Sequence, residues 1–429
     1  MRYSKLFGKT IRDDPKDEVS VNAKLLIRGG FIRKEVAGVY NFLPLGLRVL
    51  NKISTIVREE MNAAGGQELL LSSLQNRVSW EQTKRWDSFD ALFKVKSRFD
   101  TEYALGPTHE EVIVPLAKQL ISSYRDLPLS LYQIQTKFRD EERAKSGILR
   151  GREFLMKDLY SFHADESDFN KYYEIMKKAY KKVYERCGLD AIETQASGGA
   201  FSKFSHEYQV ITEAGEDEII YCPSFVPLSG TSAGKPGCHF AENKEIAVNK
   251  EGDNCPVCSA KLKAAKTIEV GNIFPLKTRF SEAFNLVYKD KNGKEKFVVM
   301  GCYGIGIPRL MGTIVEVHND DRGIKWSESI APYQAHVLCI KYEVSSVKKK
   351  SDEVYRQLEN SGIEVLFDDR EDVSAGQKFA DADLIGIPVR LVVSEKTGDK
   401  IEFKKRDKKD SELLEIDEVI KRLRTEEKP

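Results

Sequence analysis

The chain has 429 residues, 41% of them hydrophobic and 31% charged, which is long enough for two or three globular domains. Lys and Arg number 68 and Asp and Glu 67, so the formal net charge is only +1 at pH 7. A nucleic-acid partner would therefore need a local basic patch, because the charge of the whole molecule does not attract one.

Simple patterns argue against a membrane or secreted protein. No stretch approaches the roughly 20 apolar residues that span a bilayer, and the N-terminal sequence lacks the apolar segment of a signal peptide. The seven cysteines are an odd number in a long chain, unlike the disulfide framework of a small secreted protein. We expect a cytoplasmic protein without a membrane partner.

The first third of the chain predicts helices around one short strand. Residues 20–65 follow a helical pattern that is interrupted at residues 38–46, and the apolar run Leu69–Leu71 predicts a buried strand. A further helix is predicted over Thr108–Tyr124, because Pro107 and Thr108 form a start signal and the acidic residues that follow suit the positive end of the helix dipole.

The middle of the chain predicts two strands joined by a long polar loop. Residues Ser130–Arg139 alternate between apolar and polar side chains, as expected of a half-buried strand with a polar working face. A charged, glycine-containing loop follows, and Phe154–Phe162 resumes an extended apolar pattern. An amphipathic helix is predicted over Asp168–Arg186.

The composition changes over residues 213–266, where four cysteines lie among Pro, Gly, Ser and Lys with little apolar periodicity. This segment predicts an inserted module rather than core. Strand patterns return at residues 267–274 and 296–310, and glycines separate the second strand from a helix. Beyond Pro332 strands and helices alternate, which predicts a compact α/β domain with a mixed sheet.

Three small clusters carry the chemistry. Arg139, at the end of the polar strand, can bind a phosphate or carboxylate with its forked guanidinium, and Glu141 can accept a hydrogen bond from an amino group. Arg309 closes the glycine-rich GCYGIGIPR, where the backbone can approach a ligand closely. Thr108 and Glu110 can receive an ammonium group. Each cluster has a structural alternative, namely a solvated salt bridge, an ordinary strand–helix junction and helix capping.

Six segments together are far more specific: GPTHEEV, YQIQTKFRDE, REFLMKDLYSF, SHEYQV, IEVGNIF and MGCYGIGIPR. In this order and spacing they resemble the bacterial-type prolyl-tRNA synthetases over nearly the whole chain. The resemblance implies an α+β fold, with a class II synthetase antiparallel sheet flanked by helices and a C-terminal α/β anticodon-binding domain. It also implies ATP-dependent activation of L-proline to prolyl-adenylate and transfer to the 3′ end of tRNA(Pro).

The resemblance sets the predicted domain boundaries. The catalytic domain with motifs 1 and 2 occupies residues 1–212, the short cysteine-containing insertion residues 213–266, the part with motif 3 residues 267–331, and the anticodon-binding domain residues 332–429. Motif 1 builds the dimer interface in the family, so a homodimer is expected.

The resemblance also implies roles for the clustered residues. Arg139 matches the motif 2 arginine that binds the α-phosphate of ATP and the proline carboxylate, and Glu141 matches the residue that reads the adenine amino group. Arg309 matches the motif 3 arginine that meets the γ-phosphate. Thr108 and Glu110 match the pair that receives the proline imino group.

Further positions follow in the same way. Glu269 lies where the class has a contact to Mg²⁺ and ATP, while Met156 and Phe274 match walls of the small apolar amino-acid pocket. His206 also matches a family position and is interpreted as a structural hydrogen-bonding residue. In the C-terminal domain, contacts to tRNA are predicted for three cations that solvated surface charge would explain equally well: Arg370, Lys378 and Arg406.

The cysteines of the insertion leave two interpretations open. Cys255-Pro-Val-Cys258 has the spacing of a zinc knuckle, and Cys222 and Cys238 could complete four thiolates, with His239 as a competing ligand. The alternative, which the sequence favours, is a remnant that binds no metal.

The chain also departs from the family pattern. Ser72 stands where motif 1 usually has proline, Phe201 and Ser202 replace two adjacent glycines, and Lys277 replaces another glycine. Many bacterial members carry a long domain between motifs 2 and 3 that hydrolyses alanyl-tRNA made in error. Residues 213–266 leave room for only a short insertion, so we expect no editing by this chain itself.

Two rival functions remain. A non-catalytic synthetase-like protein typically loses the phosphate-binding arginines, whereas Arg139 and Arg309 are both present. A threonine enzyme would hold a catalytic zinc with Cys and His ligands from its core, and no such set occurs outside the insertion.

Overall fold

The computed structural model describes residues 1–142, 144, 146–199, 201–224 and 237–425. The described residues form an α+β fold, whose α-helices are α1 Val21–Arg28, α2 Pro44–Ala63, α3 Arg77–Gln82, α4 Glu110–Leu120, α5 Glu166–Arg186, α6 Arg279–Phe284, α7 Ile307–Val317, α8 Ser345–Asn360, α9 Ala375–Ile385 and α10 Ile416–Thr425. Short 3₁₀ turns occur at Tyr3–Lys5, Tyr124–Asp126, Gly147–Leu149 and Glu395–Thr397. Among the helices of the described part, none is both long and apolar enough to cross a bilayer.

The described residues contain 23 strands, which form one large sheet, one five-stranded sheet and four smaller ones. In chain order the strands are β1 Ile32–Val36, β2 Val39–Phe42, β3 Gln67–Glu68, β4 Leu74–Asn76, β5 Phe93–Lys96, β6 Glu102–Leu105, β7 Leu129–Phe138, β8 Glu153–His163, β9 Ile192–Ser197, β10 Phe204–Ile211, β11 Asp217–Tyr221, β12 Ala241–Asn243, β13 Lys263–Lys277, β14 Val287–Lys289, β15 Glu295–Phe297, β16 Val299–Gly306, β17 Asn319–Asp320, β18 Gly323–Ile324, β19 Ala335–Cys339, β20 Val365–Asp368, β21 Val389–Val393, β22 Ile401–Lys405 and β23 Glu412–Leu414.

The chain folds into two compact units. The first contains residues 1–35, 40–53 and 314 onward, and the second contains residues 36–39 and 54–313. The boundaries predicted after residues 212, 266 and 331 follow the order of motifs rather than this grouping, and they stay predictions.

The second unit is built on a nine-stranded sheet in the order β10-β9-β12-β11-β13-β16-β8-β7-β3. Its centre is antiparallel, with β7 paired to β8, β8 to β16 and β16 to β13 over long registers. Within this sheet, as far as the structure describes it, only the short pairs β3–β7 and β12–β9 are parallel. The long strands alternate because one face of the sheet is packed and the other carries polar groups.

Helix α5 covers one face of this sheet. Its apolar stripe recurs at helical spacing and buries Met176, Tyr180 and Tyr184. The Tyr180 and Tyr184 rings each lie 5.2 Å from the ring of Tyr208 on β10. Gly271 on β13 is required here, because a Cβ atom at that position would come within 2.2 Å of the Tyr184 hydroxyl oxygen. This aromatic layer fixes the strands whose other face forms the cavity described below.

The first unit contains a five-stranded sheet in the order β20-β19-β21-β22-β23. Strand β19 is parallel to β20 and β21, whereas β22 and β23 are antiparallel, so the sheet is mixed as predicted. Its core brings together Val337, Phe367 and Leu391 from the strands with Leu358 from α8, all fully buried.

Most predicted elements occur within one or two residues of their expected bounds, including β7, β8 and α5. The strand predicted at Leu69–Leu71 is wrong, because β3 ends at Glu68. The helix predicted from Thr108 to Tyr124 ends at Leu120, where the chain turns extended at Ile121. The insertion is not wholly separate from the core, since its strands β11 and β12 are hydrogen-bonded into the nine-stranded sheet.

The departure at Lys277 has a backbone explanation. Lys277 has φ +52°, in the left-handed region that favours glycine, and it lies at an irregularity in the register between β13 and β16. A glycine at this position would adopt the same conformation without the steric cost of a Cβ atom. The lysine keeps the bend and forms an exposed ion pair with Glu166.

Candidate functional site

A cavity of about 320 Å³ lies on the polar face of the nine-stranded sheet. Side chains from the segment after β7 and from β8, β10, β13 and β16 line it, together with the start of α7. Seven of the residues singled out by sequence line this cavity: Thr108, Arg139, Glu141, Met156, Glu269, Phe274 and Arg309. Sequence positions up to 201 apart therefore meet at one site.

Next to Thr108, which lines the cavity, a carboxylate is held at the start of a helix; Glu110 itself is not among the residues that line the cavity. Glu110 is the first residue of α4, fully buried, and the hydroxyl of Thr108 donates a hydrogen bond of 2.5 Å to its Oε2. The positive end of the helix dipole stabilises a negative charge there. Within the described residues Oε1 of Glu110 accepts no hydrogen bond, so it can accept one from an N–H group of a ligand.

Behind this carboxylate lies an arginine that the sequence analysis missed. Arg85 is buried, and its Nη1 lies 2.9 Å from Oε1 of Glu111 and 3.4 Å from Oε2 of Glu110. Its guanidinium lies about 5 Å from four aromatic rings, those of Trp80, Phe89, Phe201 and Phe280. No local motif marks Arg85, because its partners come from distant segments of the chain.

The two neighbouring carboxylates share this one cation. Burial raises the pKa of Glu111 to about 7, more than the guanidinium of Arg85 lowers it, and the Glu110 charge acts in the same direction as burial. One positive charge beside two carboxyl groups leaves net negative charge at this end of the cavity. A cationic ligand group would be attracted to it.

A second buried network supports the floor of the cavity. Asp158 lines the cavity, and its carboxylate lies 2.7 Å from the ammonium of Lys137 and accepts hydrogen bonds from Tyr160 and Gln133. Lys137 also lies 2.8 Å from Nδ1 of His109, whose pKa is lowered to about 4 by burial and by that ammonium. His109 is therefore neutral at pH 7, and the network consists of one paired cation and anion.

Two arginines also line the cavity. Arg309 is fixed by hydrogen bonds from its Nε to the Leu149 carbonyl at 2.8 Å and from its Nη1 to Oε2 of Glu269 at 3.0 Å. Arg139 lies over the ring of Phe154 at 5.3 Å and within hydrogen-bond reach of the Pro107 carbonyl at 3.5 Å. Burial, followed by the nearby charge of Arg309, lowers the pKa of Arg139. Two arginines directed at one space suit a polyanion.

Carboxylates stand beside these arginines. Asn272 donates to Oε1 of Glu207 at 3.3 Å and to Oε1 of Glu269 at 3.0 Å, and both glutamates line the cavity. Burial and then the charge of Glu269 raise the pKa of Glu207 to about 8. The alternation of β10 could have indicated Glu207, which sequence reasoning passed over for its neighbour His206. That imidazole instead lies 2.9 Å from the Tyr173 hydroxyl, in a structural hydrogen bond.

The donor set fits a divalent cation. Mg²⁺ is held in proteins by one or two carboxylates together with water and substrate phosphates, and Glu207 and Glu269 present two carboxylates beside Arg309 and Arg139. A cation would offset the burial and the charge of Glu269, which together raise the pKa of Glu207.

Glu141 lies at the rim of the cavity. Its carboxylate accepts two hydrogen bonds from Arg150, at 2.8 and 3.0 Å, and its backbone carbonyl accepts two from Arg152. Arg150 and Arg152 thereby hold Glu141 close to the start of β8. Glu141 therefore has a protein partner that a ligand amino group would have to displace or share.

The three cations predicted to contact tRNA are not on an open surface. Arg370 is bonded to Asp368 and Asp381, Lys378 donates to the Cys339 carbonyl, and Arg406 is bonded to both oxygens of Asp320. Their side chains are at most 9% exposed. The sheet of the first unit buries them as internal ion pairs, and their burial argues against direct contact with RNA in this conformation.

Comparisons with known proteins identify the family of the chain. The sequence matches the description tRNA synthetase class II core domain (G, H, P, S and T) over residues 93–318, and the description Anticodon binding domain over residues 334–426. It is 36% identical to a proline–tRNA ligase of Dehalococcoides mccartyi strain BAV1, covering 99% of this chain and 98% of that protein. It is 35% identical to a proline–tRNA ligase of Sulfurihydrogenibium sp. strain YO3AOP1, covering 99% of each.

The fold is also that of solved structures. The prolyl-tRNA synthetase of Cryptosporidium parvum, in complex with halofuginone and AMPPNP, superposes with a TM-score of 0.75 at 17% identity, covering 94% of this chain and 77% of that one. The same enzyme with L-proline and AMP gives a TM-score of 0.74, with 94% and 74% covered. The predicted α+β fold class is confirmed.

The shared cation behind Glu110 predicts a pH-dependent stability. Because folding raises the pKa of Glu111 from 4.5 to about 7, the contribution of this group is greatest below pH 4.5 and is lost as the pH rises through 7. Glu111→Gln keeps the shape without the charge. The unfolding free energy of the variant relative to the native chain should therefore rise between pH 5 and 8, by on the order of 1–3 kcal/mol.

Urea unfolding at several pH values measures this difference. Glu251→Gln, which removes a fully exposed carboxylate, is the control and should show no such trend. A difference between Glu111→Gln and the native chain that is independent of pH would contradict a raised pKa.

Proposed function

The chain belongs to the proline–tRNA ligase family of class II synthetases, and on that premise we propose that it activates L-proline with ATP and transfers the prolyl group to tRNA(Pro). The observation that carries the proposal is the charge arrangement of one cavity. Thr108, which is bonded to the buried carboxylate of Glu110, lines the cavity together with two arginines and apolar side chains. An imino acid and a nucleoside triphosphate present the complementary groups.

Proline binds at the Glu110 end. Its imino group, a cation with two N–H donors, is held by the carboxylate of Glu110 and the hydroxyl of Thr108. The ring packs against Met156 and Phe274, and the Phe274 ring lies 4.8 Å from that of Phe201. Phe201, where the family usually has glycine, therefore narrows the apolar pocket. The proline carboxylate points toward Arg139.

ATP binds at the arginine end. Arg139 contacts the α-phosphate and Arg309 the outer phosphates, while Phe154 offers a flat apolar face to the purine ring. Mg²⁺ held by Glu207 and Glu269 supplies further positive charge to the phosphates when bound. Glu141, at the rim, accepts a hydrogen bond from the adenine amino group.

The chemistry follows from this placement. A carboxylate oxygen of proline attacks the α-phosphorus of ATP, the bond to the β-phosphate oxygen breaks, and pyrophosphate leaves. Arg139 and Arg309 stabilise the negative charge that develops on the phosphates. In the second step a terminal ribose hydroxyl of the tRNA attacks the carbonyl carbon of the adenylate, losing its proton as AMP departs. Positioning and electrostatics dominate both steps.

The tRNA is recognised by the domain that matches anticodon-binding domains, and two copies of the chain associate in a homodimer. Exposed lysines of the segment after β22, Lys408 and Lys409, are better placed for phosphate contacts than the buried cations named above.

The chain does not edit mischarged tRNA itself. Its alignment with the Dehalococcoides relative spans 560 positions, while this chain has 429 residues, so well over a hundred positions of that relative have no counterpart here. A pocket that accepts the pyrrolidine ring cannot exclude a smaller side chain by more than about 1–3 kcal/mol. Alanine is therefore activated at a low level and must be cleared elsewhere.

Exchange of labelled pyrophosphate into ATP, measured with each of the twenty amino acids, tests the assignment. Proline should give by far the fastest exchange, because it alone fills the apolar pocket while pairing with Glu110. Arg139→Ala and Arg309→Ala should each lower kcat/KM by about 100-fold or more, since each removes positive charge from the transition state. Arg125→Ala, an exposed arginine outside the cavity, is the matched control. Exchange that depends on another amino acid, or on none, would refute the proposal.

Deacylation tests the absence of editing. Purified enzyme mixed with alanyl-tRNA(Pro) should leave the ester intact at the rate of the uncatalysed control, because no editing domain interrupts the chain. A relative that contains the additional positions serves as the positive control. Rapid hydrolysis by this chain would show that editing resides in another part of it.

A further inference from the structure

Four cysteines of the insertion converge on one point. The Sγ atoms of Cys222, Cys238, Cys255 and Cys258 all lie within 4.8 Å of one another, and no other group of His, Cys, Asp or Glu in the described residues satisfies the same criterion. Three of the four are buried and Cys258 is exposed. Residues 36 positions apart in sequence thus present their sulfurs to a common centre.

The distances distinguish between the ways in which thiols associate. Sγ of Cys222 lies 3.4 Å from that of Cys258, and Sγ of Cys238 lies 3.5 Å from that of Cys255. A disulfide would bring two sulfurs to about 2.05 Å. Four thiolates around a tetrahedral zinc, each about 2.3 Å from the metal, would stand about 3.8 Å apart. The observed spacing suits metal ligation and excludes two disulfides.

A backbone N–H group near the cysteines can stabilise a thiolate. The N–H of Val257 lies 3.4 Å from Sγ of Cys255, as a donor to sulfur. Cys255 and Ala260 pair through their backbones at 2.7 Å, and Ser259 adopts a left-handed conformation with φ +62°, so the chain between the two cysteines folds into a tight turn. This turn directs Cys255 and Cys258 to the same side.

Among the described residues of the module, the hydrophobic cluster around the cysteines is small. Its buried members are Ile220 and Leu262 besides three of the cysteines, with Phe240 and three alanines packed against it. Small modules of this kind are usually held by a metal or by disulfides.

We propose that Cys222, Cys238, Cys255 and Cys258 bind one structural Zn²⁺. Four thiolates in tetrahedral arrangement leave no open position, so the ion has no catalytic role. The site ties the end of β11 to the segment before β12 and to the turn before β13. Its ligands add to the order that the pairing of β11 and β12 within the nine-stranded sheet gives to the insertion.

The proposed ion also connects the insertion to the active site. Cys238 precedes β12, and Asn243 at the end of that strand donates a hydrogen bond of 3.1 Å to Oε2 of Glu207. Glu207 lines the cavity at its phosphate end. The zinc site thereby positions a side chain that orients a carboxylate of the site, although none of its own ligands lines the cavity.

Metal analysis of the full-length chain, purified without chelator, tests the proposal. Mass spectrometry of the elements should find one zinc per chain, released when a mercurial reagent blocks the thiols. Cys258→Ser, at the exposed ligand, should lower the zinc content at least tenfold in buffer with trace metal. Cys187→Ala, at a buried cysteine outside the cluster, should leave it at one per chain.

A second measurement uses the native chain, so it remains informative if the Cys258→Ser variant fails to fold. Native chain grown with Co²⁺ in place of zinc should show the visible absorption of a tetrahedral thiolate complex. Native protein with no bound metal and seven titratable thiols would overturn the proposal, as would stoichiometric iron in place of zinc. None of these readouts depends on aminoacylation, so failure of the proposed activity would leave the zinc result interpretable.

Discussion

The site depends on the burial of Glu110 at the start of a helix. A lone carboxylate removed from water is strongly unfavourable, and truncating one partner of a buried ion pair typically costs about 3–5 kcal/mol. The fold compensates Glu110 with the helix dipole, the Thr108 hydroxyl and the guanidinium of Arg85. Since Arg85 is shared with Glu111, compensation is incomplete until a cationic ligand arrives. On the proposed function, the burial that makes the Glu110 carboxylate energetically unfavourable also makes the site selective for an imino group.

Around the two arginines the uncompensated charge is positive. The charge of Arg309 lowers the pKa of the nearby Arg139, and Glu269 neutralises only part of the positive charge of the two arginines. On the proposed function, a polyanion completes the charge around the arginines, as an imino group does beside Glu110. Apolar side chains among the lining residues strengthen both interactions. Proline bound beside a nucleotide would satisfy both sets of groups together.

Much of the site could be predicted from the sequence where a functional side chain lies in a segment with a clear hydrophobic periodicity. The alternation that predicted β7 also placed Arg139 at its end, and the motifs gave the seven predicted residues that line the cavity. Arg85 was missed because no motif links it to its carboxylate partners on α4, whereas the alternation of β10 could have indicated Glu207. Contact with tRNA stays a prediction for Arg370, Lys378 and Arg406, whose burial could not be read from the sequence. The sequence favoured a metal-free insertion, and only the spacing of the sulfurs in space made zinc the better proposal.

The most direct test of the account compares proline with tetrahydrofuran-2-carboxylate, in which the ring oxygen replaces the imino nitrogen and its two N–H donors. Calorimetry should show that native protein binds proline at least tenfold more tightly, since a hydrogen bond to a charged group contributes about 1.5–3 kcal/mol. Glu110→Gln, with an unchanged circular dichroism spectrum, should bind the two ligands within about threefold of each other, because the neutral amide offers no charge to the imino group. A variant that still prefers proline by the native ratio would contradict the claim that the buried carboxylate of Glu110 selects the imino acid.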